Sequence, residues 1–379
     1  MGCNMAKRPT RRRRGAGASG TDVTLPSLST LSDLPAFTDL APSPAQVEEF
    51  TAFVEATRAT DETAARQLAL GCVVRLDRGF PAVICEDATF RAEFATRLTK
   101  GGFSRASVGD WVIARRPEGH DMGMIERILT RENAVERWRG GSRGELQTLA
   151  ANVDLVIAVY PLSEGPLDCA QVARAVVVAR DCGVECAVAL TKADRQGEGV
   201  LQTSLERFGE FFGDSVNVVA VCAETGEGVE EVRALVPQGH VAIVLGTTGA
   251  GKSTLLNALL GHEALETGAV RESDDSGRHT TVTRRMVKIP GAGVVVDEPG
   301  FRNLLVIGHE RGLAKVFPKI SDAARTCRFR DCTHTHEPGC GVIAGLEANE
   351  YPKAQLDAYL ALSAEMRESA RTLDPDVVL

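Results

Sequence analysis

The sequence predicts a multidomain α/β protein, and three observations predict it. Short β-rich runs fill residues 71–138, apolar strands alternate with helical stretches from about residue 150, and a Cys/His-rich stretch followed by a helical tail closes the chain. The first pattern suggests a small barrel, the second a parallel sheet covered by helices, the third a metal-stabilised knot. Composition permits all three: 379 residues with 44% hydrophobic and 25% charged side chains lie in the globular range, which excludes a wholly disordered or collagen-like chain. The length suggests two to three domains.

Charge narrows the possibilities. Lys and Arg number 43 against 51 Asp and Glu, a formal net charge of −8 and a pI of about 5.5, too acidic for a chain whose whole surface grips nucleic acid. The first 20 residues run the other way: Lys7, Arg8 and Arg11 to Arg14 make a local +6, so −14 remains for everything after them. With the Gly-, Ser-, Thr- and Pro-rich text that follows, residues 1–65 are expected to be a disordered basic and polar extension. It reads either as an electrostatic arm for RNA phosphates or as a solubilising extension, since Met5 could equally start translation. No apolar run approaches the ~18 residues of a membrane helix. No stretch resembles a secretory signal, and Met-Gly-Cys-Asn-Met-Ala lacks the Ser or Thr of a myristoylation site. A cytoplasmic protein without a membrane partner is expected, and ten cysteines are too sparse for a disulfide scaffold.

Residues 66–140 are expected to form an RNA-binding OB-type barrel, from strand-like runs at 71–76, 81–85, 89–98, 108–115 and 123–129. Such barrels commonly bind oligonucleotides. Arg91, Arg97, Lys100, Arg105, Arg115 and Arg116 could contact phosphates; solvated strand faces are the alternative. Trp111 reads as barrel core, and Cys72, Cys85, Cys169, Cys182, Cys186 and Cys222 as ordinary buried thiols.

In residues 145–305, strands at 153–160, 186–190, 216–221 and 240–245 alternate with helices at 169–179, 201–212 and 229–235. The last strand runs into Gly246-Thr247-Thr248-Gly249-Ala250-Gly251-Lys252-Ser253, then Thr254 and a helix. Chemistry dictates these types: glycines let backbone N–H groups wrap phosphates, the helix N-terminus adds positive potential, Lys252 bridges the terminal phosphates, and the Ser253 hydroxyl binds Mg2+. Downstream, an apolar run ends in Asp297-Glu298-Pro299-Gly300, where a carboxylate serving magnesium and an N–H sensing the γ-phosphate belong. Between them, 272–283 carries Arg278-His279-Thr280-Thr281; a threonine hydroxyl there completes the magnesium shell only while the γ-phosphate is present, so the stretch is a candidate switch.

Base choice comes from upstream. Thr191-Lys192-Ala193-Asp194 ends one strand and Cys222-Ala223-Glu224-Thr225-Gly226 another. An aspartate aimed at the N1–H and exocyclic amine of guanine is left unpaired by adenine, which argues for GTP over ATP. Thr191 stands where this motif usually has Asn, a departure that bears on part of the base and phosphate-loop anchoring. Small GTPases run phosphate loop, switch Thr, Asp-x-x-Gly, then the two base motifs; here the base motifs come first, a circularly permuted P-loop GTPase domain. Phe301 fills the position of a water-orienting Gln and cannot hydrogen-bond. His279 is the candidate to position water, with a loop or RNA-contact role as the alternative.

Residues 306–379 read as a zinc-binding helical domain. Cys327, Cys332, His334, His336 and Cys340 crowd into fourteen positions, suiting a closed, structural three-Cys, one-His site; spacing leaves His334 and His336 open. Arg325, Arg328 and Arg330 around it offer phosphate contacts or a solvated rim.

These residues, in this order, resemble the ribosome small-subunit-dependent GTPases of the RsgA family, from roughly residue 68 to the C-terminus. The most specific parts are the permuted motif order, Arg278-His279-Thr280-Thr281 and the Cys327, Cys332, His334, Cys340 spacing, with Val108-Gly109-Asp110-Trp111-Val112 and Ala150-Ala151-Asn152-Val153-Asp154 alongside. The resemblance implies a GTP hydrolase that binds the small ribosomal subunit and its rRNA late in maturation and leaves as GTP becomes GDP. It also implies one structural Zn2+ per chain with His334 as ligand. A monomer is expected. Thr191, Glu298 and the Arg-rich tail depart from the family pattern.

Overall fold

The structure is a computed structural model and describes residues 33–77, 80–96, 98, 106–117, 122–139, 145–162, 165, 167–195, 197–265, 284–298 and 304–372. It opens with helices α1 (Pro44–Arg58) and α2 (Glu62–Arg66). Ser43 Oγ accepts from the Gln46 N–H while the Gln46 side chain accepts from the Ser43 N–H, and Pro44 presets the first turn. Phe50 and Phe53 on α1 pack against the main core. Residues 44–66 are therefore largely helical, not disordered as expected: a reciprocal cap and an apolar face outweigh the polar composition. The Arg-rich stretch lies outside the described residues.

Five strands, β1 (Leu68–Asp77), β2 (Phe80–Cys85), β3 (Thr89–Phe94), β4 (Trp111–Arg115) and β5 (Gly123–Ile128), close a barrel in the order β1-β2-β3-β5-β4-β1. Val73, Val83, Phe90, Val112 and Ile125 fill it. Trp111 points out of that filling and is buried instead between barrel and α/β domain, edge-on to Phe37 at 5.7 Å. A hairpin, β6 (Ala134–Arg139) and β7 (Glu145–Ala151), follows; the sequence reading did not anticipate it.

The α/β domain runs β8 (Leu155–Pro161), α3 (Cys169–Asp181), β9 (Glu185–Thr191), α4 (Glu198–Phe212), β10 (Asn217–Val221), α5 (Val229–Ala234), β11 (Val241–Leu245), α6 (Lys252–Leu260), β12 (Arg284–Lys288) and β13 (Val294–Asp297). Its sheet order is β10-β9-β8-β11-β13-β12, with β12 alone antiparallel to its neighbour. Central strands are buried on both faces: Val156 and Ile243 join one core cluster, Ile157 and Val244 the other.

The ladder does not stop at β12. That strand also pairs with β1, Arg75 opposite Arg285 and Leu76 opposite Arg284, so barrel and α/β sheet share eleven strands. The N-terminal segment straps the same seam. Asp33 binds His262 Nε2 (3.0 Å), Asp39 binds Lys288 Nζ (2.8 Å), and the Gln46 amide donates to the Thr130 carbonyl and Asn152 Oδ1.

Helices α7 (Glu310–Val316) and α8 (Pro318–Ala324) lead to the Cys/His stretch; α9 (Gly341–Glu347) and α10 (Lys353–Thr372) follow. The single helical tail expected near 345–371 is broken where the Tyr351 hydroxyl donates to the Val342 carbonyl at 2.6 Å and Pro352 begins a new start. This module docks on α3. Arg174 forks onto Glu365 (2.5 and 2.6 Å) and reaches the Leu304 carbonyl, while Asp181 takes the His309 ring (3.1 Å) and the Gly312 N–H (2.7 Å).

Candidate nucleotide site and metal knot

β11 lies between β8 and β13 and delivers Gly246 at its C-terminal end, where ligands of open parallel sheets bind. A side chain at Gly246 would stand 2.6 Å from the Val159 carbonyl, so the loop leaves the strand against its neighbour. Gly249 (φ 82°) and Gly251 (φ 89°) take left-handed conformations, and Gly251 starts α6. Ala250 is buried, Thr247 and Thr248 are exposed, and Ser253 and Thr254 are half-buried in the first turn. Lys252 is folded back over the loop, donating to the carbonyls of Gly246 (2.8 Å) and Thr247 (3.0 Å).

The base motifs reach the same edge of the sheet. Thr191 at the end of β9 is level with Val221 of β10, so Cys222 and Ala223 lie beside Lys192 to Asp194. The Thr191 hydroxyl donates to the Ala250 carbonyl at 2.6 Å, and Lys192 Nζ to the Gly249 carbonyl at 2.9 Å. Thr191 thus ties the end of β9 to the phosphate loop through a hydroxyl where the motif usually has Asn. A hydroxyl suffices because β8 and β9 pair in parallel at Pro161 and Thr191, bringing the β9 end within reach of the loop. Asp194 is exposed in the short turn Ala193–Arg195. Asp297, 8% exposed, ends β13 level with Val244 of β11. His279, Thr280 and Gly300 lie outside the described residues.

Glu298, next to Asp297, is 2% exposed and its Oε2 takes Arg284 Nε at 2.5 Å. Burial pushes its carboxyl above the ordinary range against the opposing pull of Arg284 and Arg137. No sequence signal pointed to Arg284 as its partner, which depends on the β12–β13 pairing.

In the knot, Cys327 Sγ, Cys332 Sγ, His334 Nδ1 and Cys340 Sγ all lie within 4.8 Å of one another. Cys327 and Cys340 sulfurs are 3.8 Å apart, and His334 Nδ1 is 3.5 and 3.6 Å from them. A tetrahedron with bonds of about 2.3 Å to sulfur and about 2.05 Å to nitrogen has edges of about 3.8 and 3.6 Å, so the donor set fits a tetrahedral zinc ion. His336 is exposed, its Nδ1 on the Thr335 hydroxyl at 2.8 Å, and it is His334 that lies among the three sulfurs. Glu337 fastens the turn by accepting from Thr333 and the backbone N–H of Thr335 and His336.

The profile of the RsgA GTPase family matches residues 128–306. A Streptomyces coelicolor protein named small ribosomal subunit biogenesis GTPase RsgA is 39% identical over 308 residues, covering 81% of this chain and 82% of that one. The chain belongs to the RsgA GTPase family. A Leptospira interrogans RsgA of the same name is 31% identical over 310 residues, covering 81% of this chain and 84% of that one. The fold is shared with two solved structures. YjeQ from Thermotoga maritima has a TM-score of 0.59 at 24% identity, covering 79% of this chain and 99% of that one. YloQ, described as a circularly permuted GTPase, has a TM-score of 0.56 at 20% identity, covering 79% and 96%. As an RsgA GTPase the chain is a GTP hydrolase, and magnesium accompanies its GTP. Among the described residues no helix is long and apolar enough to cross a membrane.

Proposed function

We propose that this chain acts in biogenesis of the small ribosomal subunit, the process for which its relatives are named, as a cytoplasmic, monomeric GTPase that docks on the subunit and its rRNA and leaves on hydrolysis. The observation that carries the reading is the double tie of Thr191 and Lys192 to the 246–251 loop. It joins the base motif to the phosphate loop although the chain runs through them in reversed order.

In this reading Gly246 to Gly251 offer backbone N–H groups to the phosphates, and Lys252 exchanges its carbonyl partners for the β- and γ-phosphate oxygens. Ser253 and Asp297 would hold the magnesium ion, which when bound neutralises phosphate charge; Thr254 continues the first turn of α6. Asp194 accepts from guanine, with Cys222 and Ala223 closing the base pocket. Thr280 and Gly300 sense the γ-phosphate, and His279 orients water in place of the group that Phe301 lacks. Cys327, Cys332, His334 and Cys340 hold a structural zinc, and the barrel meets RNA.

Cosedimentation tests the reading. The chain should pellet with small subunits in a non-hydrolysable GTP analogue and not in GDP, and single-turnover hydrolysis should accelerate when subunits are added. Equal pelleting in both nucleotides, or an unchanged rate, overturns it.

A further inference from the structure

Thr191 has one hydroxyl proton, and the geometry at the end of β9 commits it. Its Oγ1 lies 2.6 Å from the carbonyl of the buried Ala250 and 3.5 Å from that of Tyr160, so the proton is given to the phosphate loop. The other γ substituent is a methyl group, which donates nothing. A Cβ built on Gly251 would meet Oγ1, Cβ and Cγ2 of Thr191 at 3.5, 3.6 and 3.8 Å, so the side chain, 3% exposed, is seated against the loop. Asp194, three residues on, is exposed in the turn that follows β9. A guanine that gives its N1–H and 2-amine to that carboxylate still carries two acceptors, O6 and N7. Asparagine at position 191 would have two amide protons, one for the loop carbonyl and one for the base; threonine has a single proton, already in use.

We infer that Thr191 limits the grip on the base: its proton serves Ala250, position 191 offers guanine N7 no donor, and the nucleotide is held by Asp194 on one edge and by the loop at its phosphates. The inference rests on the reading of Asp194 as the guanine carboxylate, and deepens it. Affinity and base choice separate here. Adenine is rejected because it leaves the Asp194 carboxylate without donors, and that discrimination is untouched. N7 is an acceptor in both purines, so a missing donor to it lowers affinity without relaxing the choice between them. A bond absent from the bound state shows itself mainly in dissociation. GDP therefore leaves sooner than it would from a pocket that donates to N7 as well.

The test uses the full chain and two diphosphates, GDP and 7-deaza-GDP, in which a C–H group replaces N7. Affinities and dissociation rates are measured for the parent, Thr191→Ser and Thr191→Asn, with melting temperature in parallel. The parent and Thr191→Ser, which keeps the hydroxyl, should not distinguish the two diphosphates. Thr191→Asn should hold GDP about three- to tenfold more tightly than the parent, the net contribution of one neutral hydrogen bond, through slower release, and should lose that gain with 7-deaza-GDP. A parent that already binds 7-deaza-GDP more weakly than GDP overturns the inference, as does an Asn variant whose gain is absent or survives the removal of N7. If Thr191→Asn does not fold, the comparison of the two diphosphates on the parent and Thr191→Ser decides alone. Asp194→Asn separates the two layers. Its amide matches the 2-oxo group of xanthine, so preference should move from GDP to xanthosine diphosphate. If preference stays with GDP, the reading of Asp194 fails; if it moves while the parent favours GDP over 7-deaza-GDP, only the inference fails.

Discussion

Residues 246–251 and residues 327–340 are both loops, and they are held in shape by different means. The first leaves a strand buried along its whole length, and its carbonyls at Gly246, Thr247, Gly249 and Ala250 are occupied by Lys252, Lys192 and Thr191. The second has no strand beside it. Arg328, Phe329, Arg330, Asp331, Thr333, Thr335 and His336 are exposed, and only Cys332 and Cys340 are buried. One loop is preorganised by backbone geometry before any ligand arrives; the other draws its shape from four side-chain donors aimed at one point. The comparison teaches that the nucleotide loop should tolerate loss of its ligand and the knot should not.

The largest effect should come from metal removal. A strong chelator, or Cys332→Ser, should unfold the knot, since structural zinc contributes on the order of 10 kcal/mol in small sites. GDP titration should register almost nothing; loss of GDP binding in step with zinc release would break the comparison. Next in size is Lys252→Ala, expected to lower single-turnover phosphate release by about 10² to 10³-fold, as when one preorganised donor is removed from developing charge. Its melting temperature should hold, because the lysine's partners in the free protein are loop carbonyls close to solvent. Thr191→Ala is smaller. It strips the buried Ala250 carbonyl of its donor, about 1–3 kcal/mol by the usual penalty, and should weaken GDP binding and lower the melting temperature together.

The smallest effect concerns the joint between the two regions. Burial pushes the Asp181 carboxyl up, yet the His309 ring, the Gly312 N–H and the Arg311 charge together hold it below its ordinary value. A carboxyl depressed in the folded state lends stability that is present above the ordinary range and fades as pH falls through the folded value. Below about pH 4 the melting temperature of the parent should therefore drop faster than that of Asp181→Asn. Parallel curves would remove this pair from the joint's stability.

Much of the site was legible because its residues do chemistry that few other types can do. The phosphate loop and the clustered thiols announce themselves, since a strand followed by glycines, a lysine and a helix is an order that cradles a phosphate. What stayed hidden depends on long-range partners. Arg284 to Lys288 is a five-residue strand with charges at both ends, and it became a strand because β13 lies on one side and β1 on the other. Glu298 looked like a departure from pattern until its cation was found fourteen positions away. The helix at Pro44–Arg58 is a different failure: Ser43-Pro44-Ala45-Gln46 carried a capping signature in plain sight, and the polar, Pro-rich text around it hid the signal.

The stitch between β1 and β12 is only two residue pairs wide, against seven between β8 and β9. Under load a ribbon of strands parts where fewest bonds cross, so a pull on the barrel would strain Arg284 and Arg285, beside Asp297 and Glu298, together with the core that Trp111 and Met286 share across the seam. The clasp made by Asp33 and Asp39 doubles that narrow stitch with side-chain bonds. Whatever grips the barrel thus tugs on a fuse set one strand away from Asp297.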